Sequence, residues 1–219
     1  MIQDQDRRRW IGASDTSYVV GNWKTESFYK WWKQKVGMDL LEPKWWNDYT
    51  LAGTYYEHAI LDAISPNMVA DEQILLPELN LRVNLDGTLY KGEQIIIHEV
   101  KTHKESSRTW KVTKDYWRQA QIEMFARRTT KLVIVEYPLT DEHYDNWFLP
   151  IEAGKIVKHP VEYDGMWVGR EYLPKLKYIS DCIHRGHYPQ EDEFEAIFKR
   201  KGKGVQNPQK GKARCLHKG

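Results

Sequence analysis

Only two of the 219 residues are cysteine, Cys182 and Cys215, and the second sits in a stretch rich in Lys, Gly and Gln. That scarcity argues against a structural disulfide and against a cysteine–histidine zinc site, and it excludes an iron–sulfur cluster held by four thiolates. No run of about 18 apolar residues occurs, so a membrane span is not expected. The opening MIQDQDRRRW is polar and no apolar stretch follows it, which predicts no signal peptide and a cytoplasmic location. Internal repeats are absent. Acidic residues are missing from positions 199–219, where eight Lys or Arg are found.

What remains is a chain for one globular domain. At 41% apolar residues it can bury a core without staples. The net charge of +2 conceals an asymmetry, because without the basic tail the body holds 25 basic against 31 acidic residues, about −6. A basic tail on an acidic body suits a polyanionic partner or serves solubility alone. We therefore expect a domain over 1–198 and a disordered basic tail over 199–219.

The hydrophobic pattern gives a coarse order of elements. Ser14 is placed to cap a short helix that Gly21 ends, and Thr25 to open a second, with Phe28, Trp31, Trp32 and Val36 on its apolar side and Gly37 as its stop. Asn47 precedes a third, over about 48–64. Val69–Leu76 and Leu79–Leu85 read as strands, with Asp86-Gly87 as a turn signal at a strand end. Gln94–Lys101 is the best strand; its Ile95-Ile96-Ile97 run lacks polar alternation, as in a strand covered on both faces. A polar loop over 102–113, a helix over Lys114–Arg128, a strand over Lys131–Tyr137 paired with Tyr144–Ile151, and a helix over Glu162–Arg185 broken near Pro174 complete the chain. This order implies an α/β or α+β fold with a central mixed β-sheet flanked by helices.

Glu99 and Lys101 lie two apart on a strand and so project from one face, with Val100 packed behind. Asp86, at the end of the preceding strand, can converge with Glu99 on one hard cation. Magnesium takes such oxygen ligands, keeps several waters and works with phosphate. The lysine is placed to hold or deprotonate a water and to face phosphate charge. A second Glu-x-Lys, Glu42-Pro43-Lys44, contains a proline, which a central strand excludes, so context selects the first copy. Glu57 shares a helix face with Gly53, a glycine that costs roughly 1 kcal/mol there relative to alanine and suggests close approach to the backbone. Gln119 and Gln121 lie on the helix that follows, where a glutamine can orient a water or the lysine. For the adjacent pairs Trp31-Trp32 and Trp45-Trp46 one ring of each is expected in the core. Trp110 is the tryptophan best placed to meet a nucleic acid, and His58, His98 and His103 receive no role.

Taken in order, Gly53-x-x-x-Glu57, Leu85-Asp86-Gly87, the apolar strand ending in Glu99-x-Lys101, and Tyr116-x-x-Gln119-x-Gln121 resemble the lambda exonuclease and YqaJ-type viral recombinase family of PD-(D/E)xK nucleases. Arg7-Arg8-Arg9-Trp10-Ile11-Gly12-Ala13-Ser14-Asp15 is similar to that family's opening. The resemblance spans about residues 7–137 and implies a restriction-endonuclease-like core. It implies a DNA exonuclease that digests one strand of linear double-stranded DNA, 5′→3′, in phage-type recombination within a bacterial host. Magnesium is the implied metal, with manganese able to substitute. The implied ligands are Asp86, Glu99, the Val100 carbonyl and Glu57. Lys101 is the implied catalytic lysine, Gln121 the helix glutamine nearest the site with Gln119 its neighbour, and Arg7 (or Arg8 or Arg9, since the arginine run leaves the register open) and Ser14 the holders of a substrate phosphate. A homotrimeric ring and a single-strand annealing partner are implied as well. The alternatives are a restriction-like endonuclease and a non-catalytic DNA-binding protein with a nuclease fold.

Overall fold

The computed structural model describes residues 10–38, 48–106 and 110–202. Arg7, Arg8, Arg9, Trp45, Trp46 and Asn47, and the tail from residue 203, lie outside them. In chain order the elements are β1 (Ile11–Gly12), α1 (Thr16–Val20), α2 (Glu26–Lys35), α3 (Asp48–Ile64), β2 (Val69–Leu76), β3 (Leu81–Lys91), β4 (Gln94–Lys104), α4 (Lys114–Arg127), β5 (Lys131–Leu139), α5 (Asp141–Asp145), β6 (Val157–Glu162), α6 (Leu173–Arg185) and α7 (Glu191–Gly202). A helical turn, Gly165–Trp167, and a π-helical segment, Val168–Tyr172, lead into α6.

The six strands form one mixed sheet in the order β1-β3-β4-β5-β6, with β2 also paired to β3. β4 and β5 run parallel, joined by α4 as a crossover, while β2–β3, β3–β4 and β5–β6 are antiparallel. α3 covers one face. Its Ala52, Tyr56 and Ile60 pack with Val100, Val135 and Tyr137. α4 covers the other, where Ala120, Ile122 and Met124 pack with Ile97, Leu132 and Ile134. The alternation of Ile97 and Val100 between these two cores is what a strand buried on both faces requires. The expected mixed sheet between helices is therefore present.

Thr25 caps α2, accepting the Phe28 N–H at 3.2 Å. Both Trp31 and Trp32 are buried, along with Phe28, against the expectation that only one ring of the pair would be. Tyr18 stacks on Trp31 and the Tyr188 ring meets Trp32 edge-on, so each ring of the pair has an aromatic cover. A fully buried side chain of this size stabilises by about 1.5–3 kcal/mol.

Four expectations are corrected. Asp86-Gly87 is no turn: β3 continues through it to Lys91, and the chain reverses at Gly92, where φ is +60°. The glycine at 87 serves packing, since a Cβ there would lie 2.7 Å from Leu61 Cδ2 and 3.0 Å from Met68. β4 runs on to Lys104, shortening the loop after it. The antiparallel partner of β5 is Val157–Glu162, not Tyr144–Ile151, because Thr140 and His143 form a capping box that starts α5 instead. Ser14 lies within a 3-10 turn, Ala13–Asp15, and Asp15 rather than Ser14 precedes α1.

Candidate active site

The β3–β4 ladder ends at the pair Gly87–His98, one step short of Asp86 and Glu99. There the strands part, and the Asp86 carboxylate replaces the missing ladder bond by accepting the Val100 N–H at 2.8 Å. Beside this break Glu99 is buried and takes two donors on one oxygen, Oε1. The Lys101 ammonium and the Gln119 side-chain amide each donate to it at 2.6 Å. The other oxygen of Glu99, Oε2, is buried with no hydrogen-bond partner.

Glu57 reaches the same region from α3. That helix can approach because Gly53 sits on β4, where a Cβ would be 3.0 Å from Thr102 Oγ1. From α4, Gln119 Nε2 also donates to Glu123 Oε1 at 2.7 Å. Glu123 is wholly buried and its second oxygen has no partner. The Tyr116 ring lies 5.1 Å beneath the Lys101 ammonium.

Four carboxyl groups, Glu57, Asp86, Glu99 and Glu123, thus surround one lysine, and the proton affinities of Glu57, Asp86 and Glu123 record the crowding. Burial and then the charge of Glu99 push Glu57 up to about 7. Burial, then Glu99 and Glu57, hold Asp86 well above the usual carboxylate range. Burial and Glu99 do the same to Glu123. Burial alone would lower the Lys101 ammonium, but the charges of Glu99 and Asp86 and the hydrogen bond to Glu99 outweigh it and raise it. The raised carboxyls are the mark of negative charge that lacks a counter-ion. Such a donor set, with an open oxygen on Glu99 and few basic neighbours, fits a hard divalent cation.

Sequence-expected residues divide as follows. Glu57, Asp86, Glu99, Val100, Lys101 and Gln119 are brought together. Gln121 is not: its amide donates to the Glu162 carbonyl at 2.8 Å and accepts the Asp164 N–H at 2.6 Å, tying α4 to the end of β6. Gln119 is therefore the glutamine at the acids, because two positions along a helix turn a side chain by about 200°. Arg7 and Arg9 lie outside the described residues. Ser14 lines a cavity of about 150 Å³ with Gly12, Lys35, Arg82 and Asn84. In it Lys35 pairs with Asp15 at 2.7 Å, and the buried Arg82 has a terminal nitrogen, Nη2, with no partner. Trp110 is half-buried, stacked on Tyr116 and close to His159. Among the described residues the carboxylates and imidazoles that come within 4.8 Å as a trio are Glu57, His58 and Asp71, on the outer side of Glu57. Asp86 and Glu99 do not join such a trio. A larger cavity, about 620 Å³, is lined by Met124, Arg128 and Tyr163 at the far end of α4 and touches none of these acids.

Sequence reasoning missed Glu123 and Arg82. Glu123 stands four residues after Gln119, hence on the same helix face, which was a usable signal. Arg82 carried none, since only the fold shows that β3 passes behind Ser14.

No family model matches the sequence, and no curated protein does. Solved structures do match. The alkaline exonuclease of Laribacter hongkongensis aligns at 18% identity over 92% of this chain and 97% of its own, with a TM-score of 0.58. The same exonuclease in complex with dAMP gives 19%, 91%, 97% and 0.59. A phage-related exonuclease from Haemophilus somnus 129PT gives 12%, 88%, 96% and 0.53. What is common at these identities is the fold, and it is the fold that the ordered motifs led one to expect. No helix among the described residues is long and apolar enough to cross a membrane.

Proposed function

We propose that the chain is a divalent-metal-dependent DNA exonuclease acting on linear double-stranded DNA. The observation that carries this reading is the convergence of Glu57, Asp86, Glu99, Lys101 and Gln119 at the break in the β3–β4 ladder. The fold held in common with the two exonucleases supports it. Asp86, Glu99 and the Val100 carbonyl would hold magnesium, or manganese in its place, with Glu57 beside them. When bound, such an ion polarises a phosphodiester and lowers the pKa of a water. The protein's own contribution starts with Lys101. Hydrogen-bonded to Glu99, it would face the scissile phosphate and hold or activate the attacking water. Gln119 fixes Glu99 while leaving one carboxylate oxygen open.

Ser14, Arg82 and Lys35 offer a second anion site, and a terminal 5′-phosphate is its proposed ligand. The unpartnered Nη2 of Arg82 supports this, since a buried donor left unmet costs about 1–3 kcal/mol that an anion would relieve. A phosphate held there sets which strand end enters first, and the 5′→3′ direction follows from it. The role in phage-type recombination, the homotrimeric ring and the annealing partner belong to the same reading through the family resemblance. The test compares linear and covalently closed duplex in Mg²⁺. An exonuclease releases nucleotides from the linear form alone. Equal cutting of the closed circle would favour the restriction-like endonuclease instead, and no Mg²⁺-dependent release from either would favour a non-catalytic DNA-binding protein.

A further inference from the structure

Glu123 is out of place by the usual rules of burial. It is flanked on α4 by Ile122 and Met124, all three are wholly buried, and its carboxyl accepts from Gln119 and lies within hydrogen-bonding reach of Glu99. An apolar side chain of the same length would fill the space without the desolvation that a carboxyl incurs. The acid is therefore kept for something other than packing.

The bond to Gln119 suggests what. The Gln119 NH₂ group has two hydrogens and spends one on Glu99 Oε1 (2.6 Å) and one on Glu123 Oε1 (2.7 Å). Glu99 and Glu123 both accept from Gln119 at Oε1, which keeps the NH₂ end of the amide toward them and disfavours the flip that would turn the Gln119 carbonyl onto Glu99. With Lys101 on the same oxygen, Glu99 is gripped at Oε1 and its Oε2 is left open. We propose that Glu123 is a positioning residue that acts through Gln119 to fix the metal-binding carboxylate of Glu99. This rests on the metal-dependent reading above. It follows the general pattern in which residues behind a ligand orient it, and whose loss weakens metal affinity or activity about 10–100-fold.

The experiment uses the full chain, with Mn²⁺ as the probe, its binding read by electron paramagnetic resonance without DNA. Melting temperature, kcat and KM on linear duplex are measured alongside. For Glu123→Met the expected result is a melting temperature equal to or above that of the unsubstituted protein. Mn²⁺ binding should be about 10–100-fold weaker, kcat lower by a similar factor, and KM for DNA within about twofold. Glu123→Gln, whose amide oxygen still accepts from Gln119, should recover most of both losses. If Glu123→Met folds poorly, a double-mutant cycle is run with Glu123→Leu and Gln119→Leu. A brace that works through Gln119 predicts that the double variant loses no more than Gln119→Leu alone. Unchanged Mn²⁺ binding and kcat in Glu123→Met would overturn the proposal, as would additive losses in the cycle. The exonuclease reading fails separately, and this inference with it, if the unsubstituted chain neither binds Mn²⁺ nor cleaves.

Discussion

Removing divalent metal should make this protein lose stability as the pH rises from 5 to 8, and Glu57 allows the size to be worked out. Its carboxyl is raised from 4.5 to about 7 by burial and by Glu99. A carboxyl raised on folding is protonated in the native state where the unfolded chain has already lost its proton. Its contribution is complete below the unfolded value near 4.5 and is lost as pH rises through about 7. A shift of about 2.5 units at about 1.4 kcal/mol each bounds the effect near 3 kcal/mol, and screening of this partly exposed side chain brings it to about 1–2 kcal/mol. Asp86 and Glu123 are raised too and act with the same sign. The assay is urea unfolding in chelator at pH 5 and pH 8, for the unsubstituted protein and for Glu57→Gln. Glu57→Gln should flatten the pH slope by about 1–2 kcal/mol, and Mg²⁺ at about 100 times its dissociation constant should restore about 2.7 kcal/mol at pH 8. Identical slopes for the two proteins in chelator would refute the electrostatic account of the acid cluster.

Three further outcomes are expected. Asp86→Asn keeps an acceptor for the Val100 N–H but removes a crowded charge, so cleavage should fall at least about 100-fold while the melting temperature holds or rises, measured by nucleotide release and thermal unfolding. Gly87→Ala places a methyl 2.7 Å from Leu61 and should cost about 1–3 kcal/mol in denaturant unfolding. Arg82→Gln should lower the preference for 5′-phosphorylated over 5′-hydroxyl ends about 10-fold or more, read as the ratio of kcat/KM on the two substrates, with internal DNA affinity little changed.

The parts of the molecule that could be read from sequence are those set by local pattern. α2 announced itself through the Thr25 cap and the spacing of Phe28, Trp31 and Trp32, and Gly53 marks the close approach of α3 to β4 that its place in a helix suggested. Glu99 and Lys101 could be paired because a strand fixes which side chains are neighbours. The failures come where a distant contact overrides a local preference. Asp86-Gly87 has turn chemistry, but Leu61 and Met68 from α3 and its end occupy the space that glycine leaves, and the strand runs straight on. The partner of β5 was misassigned because hairpin reasoning favours the nearer segment, while the Thr140–His143 capping box starts a short helix, Asp141–Asp145, and irregular chain follows it. Gln119 and Gln121 are separated only by the phase of a helix whose burial the sequence leaves ambiguous, since apolar residues lie on nearly every side of it. Arg82 is functional in this reading only because β1 brings Ser14 alongside β3, a parallel pairing across about 70 residues.

The most direct test of the central claim is digestion of end-labelled linear duplex, with and without a 5′-phosphate, in Mg²⁺ and in chelator, by the unsubstituted protein and by Lys101→Ala. The account predicts Mg²⁺-dependent nucleotide release from the 5′-phosphorylated end, abolished in chelator and in Lys101→Ala while that variant still binds DNA. Full cleavage by Lys101→Ala, or release that persists in chelator, would contradict it.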